Sequence, residues 1–492
     1  MTEQSPTPGR ATDLRRGAIG VTGILFFVLS AQAPLTGIAG TLPVPLGLGN
    51  GGGAPAAYLL VGVMIGLFAV GFIAMSRHVT EAGGFYRYVT QGLGHPLGVG
   101  ASQVAVLCYS ATQAGMYGLY GVTMRGLGQQ YFAVDLPWWL WALATMVLVQ
   151  LLGSLNIELG AKLLAALVIA EVSLLLVFSV YMLFTGGGPQ GLDPLHSFSA
   201  SAFFAGAPGV ALTFAIASMF GFESTAIYSN EAKDPVRTVP RATYLSVALI
   251  SVFFAFVSWM FVSYYGAGKV RGVALDALQS GDATSVVFAP ISATLGGWAA
   301  DVLAVLLATS LLAGILAFHN GINRYFHSLG QTGVLPLWLS RTNRQKAPYT
   351  ASLVQTVVTV CLVVPFALTG QDPVRTLLTW GGGVAVLSLM LLYILTSVAV
   401  VVFFRRTRLD TRPWNTLIAP IASVALLLGA TVLALNNFTI LIGASGTTAL
   451  VLELSVVVVF TGGVALGYAR RRPTAAASPT APVTAEEAPA SA

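Results

Sequence analysis

Long apolar runs alternate with short polar or Gly/Pro-rich stretches along almost the whole chain. A hydrocarbon core about 30 Å thick needs roughly 20 apolar residues per helix, and twelve runs approach or exceed that length. They lie at about 18–47, 55–76, 97–125, 137–155, 160–185, 203–230, 242–266, 298–326, 350–370, 375–404, 414–437 and 446–469. The runs are continuously apolar, whereas membrane-barrel strands alternate over about 10 residues. The pattern predicts an all-α integral membrane protein with 12 transmembrane helices.

Composition excludes the other broad classes. Hydrophobic residues make up 55% of the 492 residues and charged residues only 9%, and the mean hydropathy is +0.80. A soluble protein carries about a quarter charged residues, and a disordered chain has far fewer apolar ones. Cys108 and Cys361 both lie in apolar runs, so we expect no disulfide framework and no cysteine zinc site. No cofactor and no resident metal are expected.

Basic residues set the predicted orientation. With the N-terminus inside the cell, 20 of the 24 Lys and Arg residues fall on the cytoplasmic side. The four exceptions are Arg125, Lys269, Arg271 and Arg375. This asymmetry follows the positive-inside rule, so we expect a multi-pass protein of the cell membrane with both termini cytoplasmic. The first run follows Arg15 and Arg16 without a small-residue cleavage site, which favours a retained helix, and the Arg-rich, Ala-rich composition indicates a bacterial source.

The two ends differ in character from the predicted transmembrane domain, residues 15–470. Residues 1–14 are polar with Pro and Gly, and residues 473–492 are mostly Ala, Pro, Thr and Ser. Both segments have too few apolar residues to bury a core. We therefore predict disordered cytoplasmic tails at both ends.

The first apolar run contains a proline at its middle. Pro34 lacks a backbone N–H and pushes Ala33 away from helical angles, so the helix should break there. Backbone groups freed at membrane depth must be buried in protein or line a cavity; the alternative is a simple kink that neighbouring helices tolerate. If the break forms a binding site, its candidate residues are Ser30, Ala33, Pro34, Leu35, Thr36 and Gly37.

The sixth run combines a glycine with an acidic residue. Gly221 weakens the helix, and a carboxylate such as Glu223 costs about 2.5–3.5 kcal/mol at a helix centre by insertion scales. The candidate binding residues here are Phe220, Gly221, Phe222 and Glu223. Because runs 1 and 6 each begin a set of five, the matching interruptions predict two inverted repeats, about 18–185 and 203–404, with substrate at their interface. Two extra helices, about 414–469, would follow.

Two further acidic residues lie well inside apolar runs. Glu171 lies centrally in run 5, and Glu453 lies in the first half of run 12. No basic side chain lies near the middle of any run to pair with them. Each is therefore either protonated at rest or holds a cation. For Glu453, on the last helix, we favour a packing or dimer role.

Several stretches resemble the amino acid-polyamine-organocation permease superfamily. Its signature is similar to Phe220-Gly221-Phe222-Glu223, residues 230–237 (Asn-Glu-Ala-Lys-Asp-Pro-Val-Arg) and Pro240-Arg241. Residues 83–88 resemble its first cytoplasmic loop, and Arg324-Tyr325, residues 333–336 and Pro348 resemble its loop between helices 8 and 9. The resemblance covers about 15–470. It implies a leucine-transporter-like fold of five plus five inverted helices with two extra helices, and alternating access for small amine-bearing substrates.

The resemblance also implies residue roles. In this superfamily the unwound part of helix 1 usually reads Gly-Ser-Gly and binds the substrate carboxylate through backbone amides; here Pro34-Leu35-Thr36 stands in that place, with one N–H fewer. Glu171 occupies the place where some proton-coupled relatives have a lysine, which makes it the candidate coupling group. Thr309 and Ser310 of helix 8 are candidates for a sodium site, although such hydroxyls more often satisfy helix backbone.

These observations predict a secondary active transporter for an amino acid or related small amine, coupled to protons or to exchange, with sodium as an alternative ion. In this interpretation Phe220 or Phe222 closes over the substrate, and Glu223 accepts its ammonium or orients the unwound backbone. The alternative cargo is a polyamine or another organic cation. A channel or a membrane enzyme is less expected, because the sequence has no His-Glu-x-x-His, Gly-x-Ser-x-Gly or phosphate-loop motif. The expected partners are the small-molecule substrate, the coupling ion and the lipid bilayer, and no nucleic acid.

Overall fold

A computed structural model describes residues 20–79, 84–155, 161–223, 234–344 and 347–470. The predicted tails, 1–14 and 473–492, lie outside these ranges, as do residues 230–233 of the signature stretch. Within the described ranges every regular element is helical, and no β-strand occurs. The all-α part of the prediction is confirmed.

The helices follow one another in chain order. The first ten α-helices are α1 Val21–Gln32, α2 Pro43–Gly47, α3 Ala54–Ser76, α4 Gly84–Leu93, α5 His95–Phe132, α6 Trp138–Ser154, α7 Ala161–Phe184, α8 Leu195–Phe198, α9 Ala200–Phe203 and α10 Pro208–Ala217. The remainder are α11 Pro235–Tyr265, α12 Val270–Gln279, α13 Ser285–Leu295, α14 Gly297–Gln331, α15 Tyr349–Leu368, α16 Thr379–Thr407, α17 Ala419–Asn436, α18 Phe438–Ile442 and α19 Gly446–Ala469. Wider or tighter helical turns lie at Thr36–Thr41, Gly51–Gly53, Leu337–Ser340, Pro373–Leu378 and Trp414–Ile418.

Eight helical segments in the described ranges are long and apolar enough to cross a membrane. They are Gly51–Ser76, Ala165–Phe184, Arg237–Tyr265, Gly297–Gln331, Tyr349–Leu368, Pro373–Thr407, Trp414–Asn436 and Gly446–Ala469. Each coincides with one of the twelve predicted runs. The other four runs also contain helices. The first run contains α1 and α2, which a break separates, and the other three contain the 38-residue α5, the 17-residue α6 and the 10-residue α10.

Long helices pack side by side around α5. α14, α16 and α19 all contact α5, and α3 packs along α11. Glycines allow some of these close approaches: Gly463 and Gly467 of α19 face Gly100 and Pro96 of α5 so closely that a Cβ would meet backbone atoms. Small residues at such contacts let apolar helices associate where no hydrophobic driving force exists.

The contact between α3 and α11 makes a stability prediction. A Cβ at Gly62 would lie 2.5 Å from the Cβ of Ser251, whereas a Cβ at Gly66, one turn further on, meets nothing within 4 Å. We expect Gly62→Ala to lower the free energy of unfolding by about 1–3 kcal/mol, because overpacking forces helices apart. The matched Gly66→Ala control should be neutral or slightly stabilising. Thermal unfolding of both variants in one detergent checks this, and equal stability of the two would contradict the packing described.

Candidate functional site

The first predicted helix is interrupted at Pro34. α1 ends at Gln32, and Ala33 has a φ of 45°, in the left-handed region that L-residues with a Cβ rarely adopt. The chain then continues through the wide turn Thr36–Thr41 into α2. Pro34 accounts for this geometry because it disfavours the helical conformation at the residue before it. The predicted break in helix 1 is confirmed.

The sixth predicted helix ends before Gly221. α10 ends at Ala217, and the following residues turn until Gly221, whose φ of 97° suits a glycine and is strained for other residues. The described chain stops at Glu223 and resumes at Asp234. The predicted loss of helical structure at Gly221 is confirmed, and the part of the predicted run beyond Glu223 lies outside the described residues.

A cavity of about 90 Å³ lies between the two breaks. α5, α14, α16 and the turn before α16 complete its wall. The lining residues are Gln32, Ala33, Thr36, Gly37, Thr41, Thr112, Gly115, Met116, Leu119, Phe214, Ala217, Ser218, Phe220, Phe318, Leu378, Gly382 and Ala385. Four predicted site residues are among them, namely Ala33, Thr36, Gly37 and Phe220. No charged side chain appears in this lining, which consists only of residues within the described ranges.

Two side chains in the cavity wall have polar atoms without partners. Both amide atoms of Gln32 and the hydroxyl of Thr36 are buried and make no hydrogen bond within the described part of the chain. The other lining hydroxyls bond to helix carbonyls: Thr41 donates to Gly37, Thr112 to Cys108, and Ser218 to Phe214. A buried polar group left unpaired costs about 1–3 kcal/mol. Gln32 and Thr36 are therefore ready to bond a ligand.

Glu171 joins three elements beside the first break. It is only 1% exposed, and its Oε2 accepts a hydrogen bond from the backbone N–H of Leu35 at 3.4 Å. The hydroxyl of Ser310, on α14, also bonds this carboxyl group. Thr309 instead donates to the carbonyl of Leu306 at 2.9 Å. Glu171, on α7, thus contacts both the unwound segment after α1 and α14. Of the two candidate hydroxyls on α14, only that of Ser310 reaches the Glu171 carboxyl group.

Glu223 braces the second break. Its Oε2 accepts from the backbone N–H of Gly221 at 3.0 Å, and its Oε1 accepts from the hydroxyl of Tyr109, on α5, at 3.3 Å. Glu223 and Gly221 are not part of the cavity lining. Of the two predicted roles for Glu223, this geometry matches the orientation of the unwound backbone.

The two phenylalanines of the signature face different surroundings. The Phe220 ring lines the cavity and packs edge-on against Phe318, with centroids 6.3 Å apart. Phe222 is fully buried outside the cavity, where its ring lies 5.9 Å from Phe68 and 5.8 Å from Tyr393. Phe220 is therefore the one placed to contact a ligand.

The remaining predicted residues lie behind the cavity wall. Pro34 and Leu35 are buried and do not line it, and the side chain of Ser30 is outside the described structure. Sequence reasoning missed Gln32, although it stands beside the break, and it missed the residues that α5, α14 and α16 contribute. No group of three or more His, Cys, Asp or Glu residues within the described ranges is placed to hold a metal ion.

The helical fold, with eight described helices long and apolar enough to cross a membrane, is that of a multi-pass membrane protein. A family model described as amino acid permease matches residues 19–462, so the chain belongs to that family. It is 22% identical over 334 residues to the low-affinity putrescine importer PlaP of Escherichia coli K12, covering 67% of this chain and 70% of that protein. It is 23% identical over 322 residues to the histidine permease HisP of Lactococcus lactis, covering 62% and 64%.

Another relative agrees with this assignment, and a solved structure shares the fold. The amino-acid permease RocC of Bacillus subtilis is 24% identical over 370 residues, covering 72% of this chain and 73% of RocC. The crystal structure of a mutant manganese transporter from Eremococcus coleocola aligns over 93% of this chain and 96% of that one, with a TM-score of 0.54 and 17% identity. At that identity the likeness shows a shared fold alone. The names of PlaP, HisP and RocC describe transport proteins.

Proposed function

We propose that this protein is a secondary active transporter that carries an amino acid or a related small amine across the membrane by alternating access. The observation that carries the proposal is the cavity between two broken helices, where Gln32 and Thr36 present unpartnered polar atoms. Membership of the amino acid permease family supports it. The names of two relatives, a putrescine importer and a histidine permease, fall within this class of cargo.

The proposed architecture has twelve membrane crossings. The eight long apolar helices account for eight of them. The other four are the run that contains both α1 and α2, and the runs that contain α5, α6 and α10. Two inverted five-helix repeats, about 18–185 and 203–404, then begin with the two broken helices, so that the cavity lies at the repeat interface. Two extra helices, about 414–469, follow. The proposed location of both tails is the cytoplasm, as the distribution of basic residues predicts.

Glu171 is the proposed proton-coupling group. The carboxyl group of Glu171 contacts the first break through the N–H of Leu35, and it contacts α14 through Ser310. A change in the protonation of Glu171 therefore acts directly on the break. Sodium is less favoured, because small helix hydroxyls such as that of Thr309, which donates to the carbonyl of Leu306, more often satisfy helix backbone than hold an ion.

Purified protein in liposomes tests the transporter proposal. We expect uptake of a radiolabelled amino acid or amine that saturates with concentration and is competed by the unlabelled compound. A screen of amino acids and amines by thermal stabilisation identifies which compound to label, because a ligand that binds the native state raises its apparent stability. An ohmic current without saturable uptake would show a channel and contradict the proposal.

Replacing Gln32 tests whether its free amide contacts the substrate. We expect Gln32→Leu to raise the substrate dissociation constant about ten-fold, since one net hydrogen bond contributes about 0.5–1.5 kcal/mol. Thermal stability without substrate should stay equal or increase, because two unpaired buried atoms disappear. Gln279→Leu, at an exposed position on α12, is the matched control. Equal affinity in both variants would remove Gln32 from the site.

A further inference from the structure

An arginine cluster, made of Arg405, Arg406 and Arg408, lies at the end of α16. Arg405 and Arg406 belong to the last turn of the helix, and Arg408 follows it in the left-handed conformation, with a φ of 53°. All three residues are exposed. The loop that they begin, residues 405–414, joins α16 to α17, and both helices belong to segments long and apolar enough to cross a membrane. The cluster is therefore expected at the level of the lipid headgroups.

No carboxylate neutralises the arginine cluster within the described part of the chain. The loop contains one acid, Asp410, which Arg412 already uses: its Nε and Nη2 atoms donate to this carboxylate at 3.0 and 2.7 Å. Arg406 makes one long hydrogen bond, from Nη1 to a backbone carbonyl of α4 at 3.4 Å. The side chains of Arg405 and Arg408 take part in none of the ion pairs found among the described residues. Three positive charges thus stand together without a counter-charge from the protein.

Exposed apolar side chains accompany these charges. Leu409 is 58% exposed and Trp414 is 52% exposed. Ile418 and Ile421 continue the exposed face that begins at Trp414, because residues three or four apart lie on one side of a helix. Tryptophan favours the headgroup level of a bilayer, and the exposed face of α17 is open to an acyl chain. Positive charge and apolar surface therefore adjoin, in the order that a phospholipid with a negative headgroup requires.

We propose that the arginine cluster binds the headgroup of an anionic phospholipid of the cytoplasmic leaflet. The phosphate oxygens accept hydrogen bonds from the guanidinium groups, whose planar fork of donors matches a phosphate group. The acyl chain packs along Trp414 and the exposed face of α17. A zwitterionic headgroup brings its own cation, so it leaves the charges of the cluster uncompensated. The proposal rests on the proposed orientation of the helices and is independent of the cargo.

A phosphate group at this cluster supports the contact between α16 and α4. Gly92 of α4 approaches the backbone of α16 so closely that a Cβ has no room, and its carbonyl is the one that accepts from Arg406. Further along the same helices, Phe85 of α4 packs on Tyr393 of α16, with ring centroids 5.9 Å apart. Phe222, beside the second break, contacts the same tyrosine. Lipid binding is therefore expected to stabilise the native protein.

Thermal unfolding of the purified full-length protein in detergent tests this site, with dioleoylphosphatidylglycerol or dioleoylphosphatidylcholine added in increasing amounts. Arg405→Gln/Arg408→Gln removes two charges of the cluster and leaves the hydrogen bond of Arg406 in place. Lys269→Gln/Arg375→Gln is the matched control, because it removes two exposed charges from the opposite side in the proposed orientation and changes the net charge equally. Arg405→Lys/Arg408→Lys keeps both charges of the cluster.

Wild type and the control should bind phosphatidylglycerol at least about ten-fold more tightly than phosphatidylcholine, since each arginine near an anionic surface contributes about five-fold. Arg405→Gln/Arg408→Gln should match wild type in stability without added lipid and lose at least about ten-fold in affinity for phosphatidylglycerol. The lysine variant should keep most of this affinity.

Two results would overturn the proposal: wild type without a preference for phosphatidylglycerol, or equal affinity for it in wild type and Arg405→Gln/Arg408→Gln. Soluble glycerol 3-phosphate is the third probe. If it stabilises wild type as strongly as phosphatidylglycerol does, the cluster is a site for a soluble phosphate compound and the lipid assignment is wrong. These measurements need no substrate, so their failure leaves the transporter proposal to be judged by uptake alone.

Discussion

Replacing Glu171 by Gln is expected to abolish substrate accumulation driven by a pH gradient while exchange of internal for external substrate continues. Glutamine has nearly the same shape and keeps an oxygen that accepts from the Leu35 N–H. It carries no titratable proton, so transport loses its link to the proton gradient. The local geometry of the break should survive, and with it the alternation that exchange requires.

Two assays in proteoliposomes check the Glu171 prediction. A gradient of one pH unit, acid outside, permits about ten-fold accumulation for one proton per substrate, because one unit corresponds to about 1.4 kcal/mol. The wild-type protein should approach that value and Glu171→Gln should reach no accumulation, whereas counterflow should be similar in both. Glu453→Gln, at an acid within the apolar helix α19, is the control and should behave as wild type. Unchanged pH dependence in Glu171→Gln would remove this residue from coupling.

Replacing Glu223 by Leu is expected to destabilise the protein more than Glu171→Gln does. The substitution leaves the Gly221 N–H and the Tyr109 hydroxyl without the acceptor that each now has. Each unpaired buried group costs about 1–3 kcal/mol, so the free energy of unfolding should fall by about 2–6 kcal/mol. Substrate affinity should fall as well, because Phe220 and the turn at Gly221 lose their support.

Conservative variants distinguish bracing from a direct substrate contact of Glu223. Glu223→Gln keeps an oxygen for the Gly221 N–H and should retain most of the stability, and Tyr109→Phe removes only one of the two bonds. We therefore expect stability in the order wild type, Glu223→Gln, Glu223→Leu, measured by thermal unfolding with and without substrate. A Glu223→Leu protein as stable as wild type, but unable to bind substrate, would contradict the bracing role and indicate direct contact.

Local features of the sequence were enough to predict the interruptions. Pro34 and Gly221 act on their own backbone, so the breaks they produce do not depend on distant contacts. Eight of the twelve predicted runs coincide with described helices that are long and apolar enough to cross a membrane. The short helices α12 and α13 were not predicted, because charged residues interrupt α12 and the apolar α13 has only 11 residues.

The contents of the cavity wall required the tertiary structure. Phe318 and Gly382 reach the cavity from helices far along the chain, and nothing in their own surroundings in the sequence marks them. The Leu35 N–H and Glu171 are 136 residues apart, so the sequence identified the acid without its partner. The role of Gln32 could not be predicted either, because its unpaired amide is recognised only when all neighbouring donors and acceptors have been located.

The measurement that tests the central claim most directly is substrate binding to a protein whose cavity has been filled. A Cβ added at Gly382 meets only two atoms of the Phe214 ring, at 3.9 and 4.0 Å, so Gly382→Leu projects into the cavity without a backbone clash. Gly429→Leu, on an exposed face of α17 with nothing within 4 Å of the new Cβ, is the matched control. Loss of saturable substrate binding in Gly382→Leu, with thermal stability close to that of the control, is the predicted result. Binding to Gly382→Leu with wild-type affinity would show that the substrate site lies elsewhere.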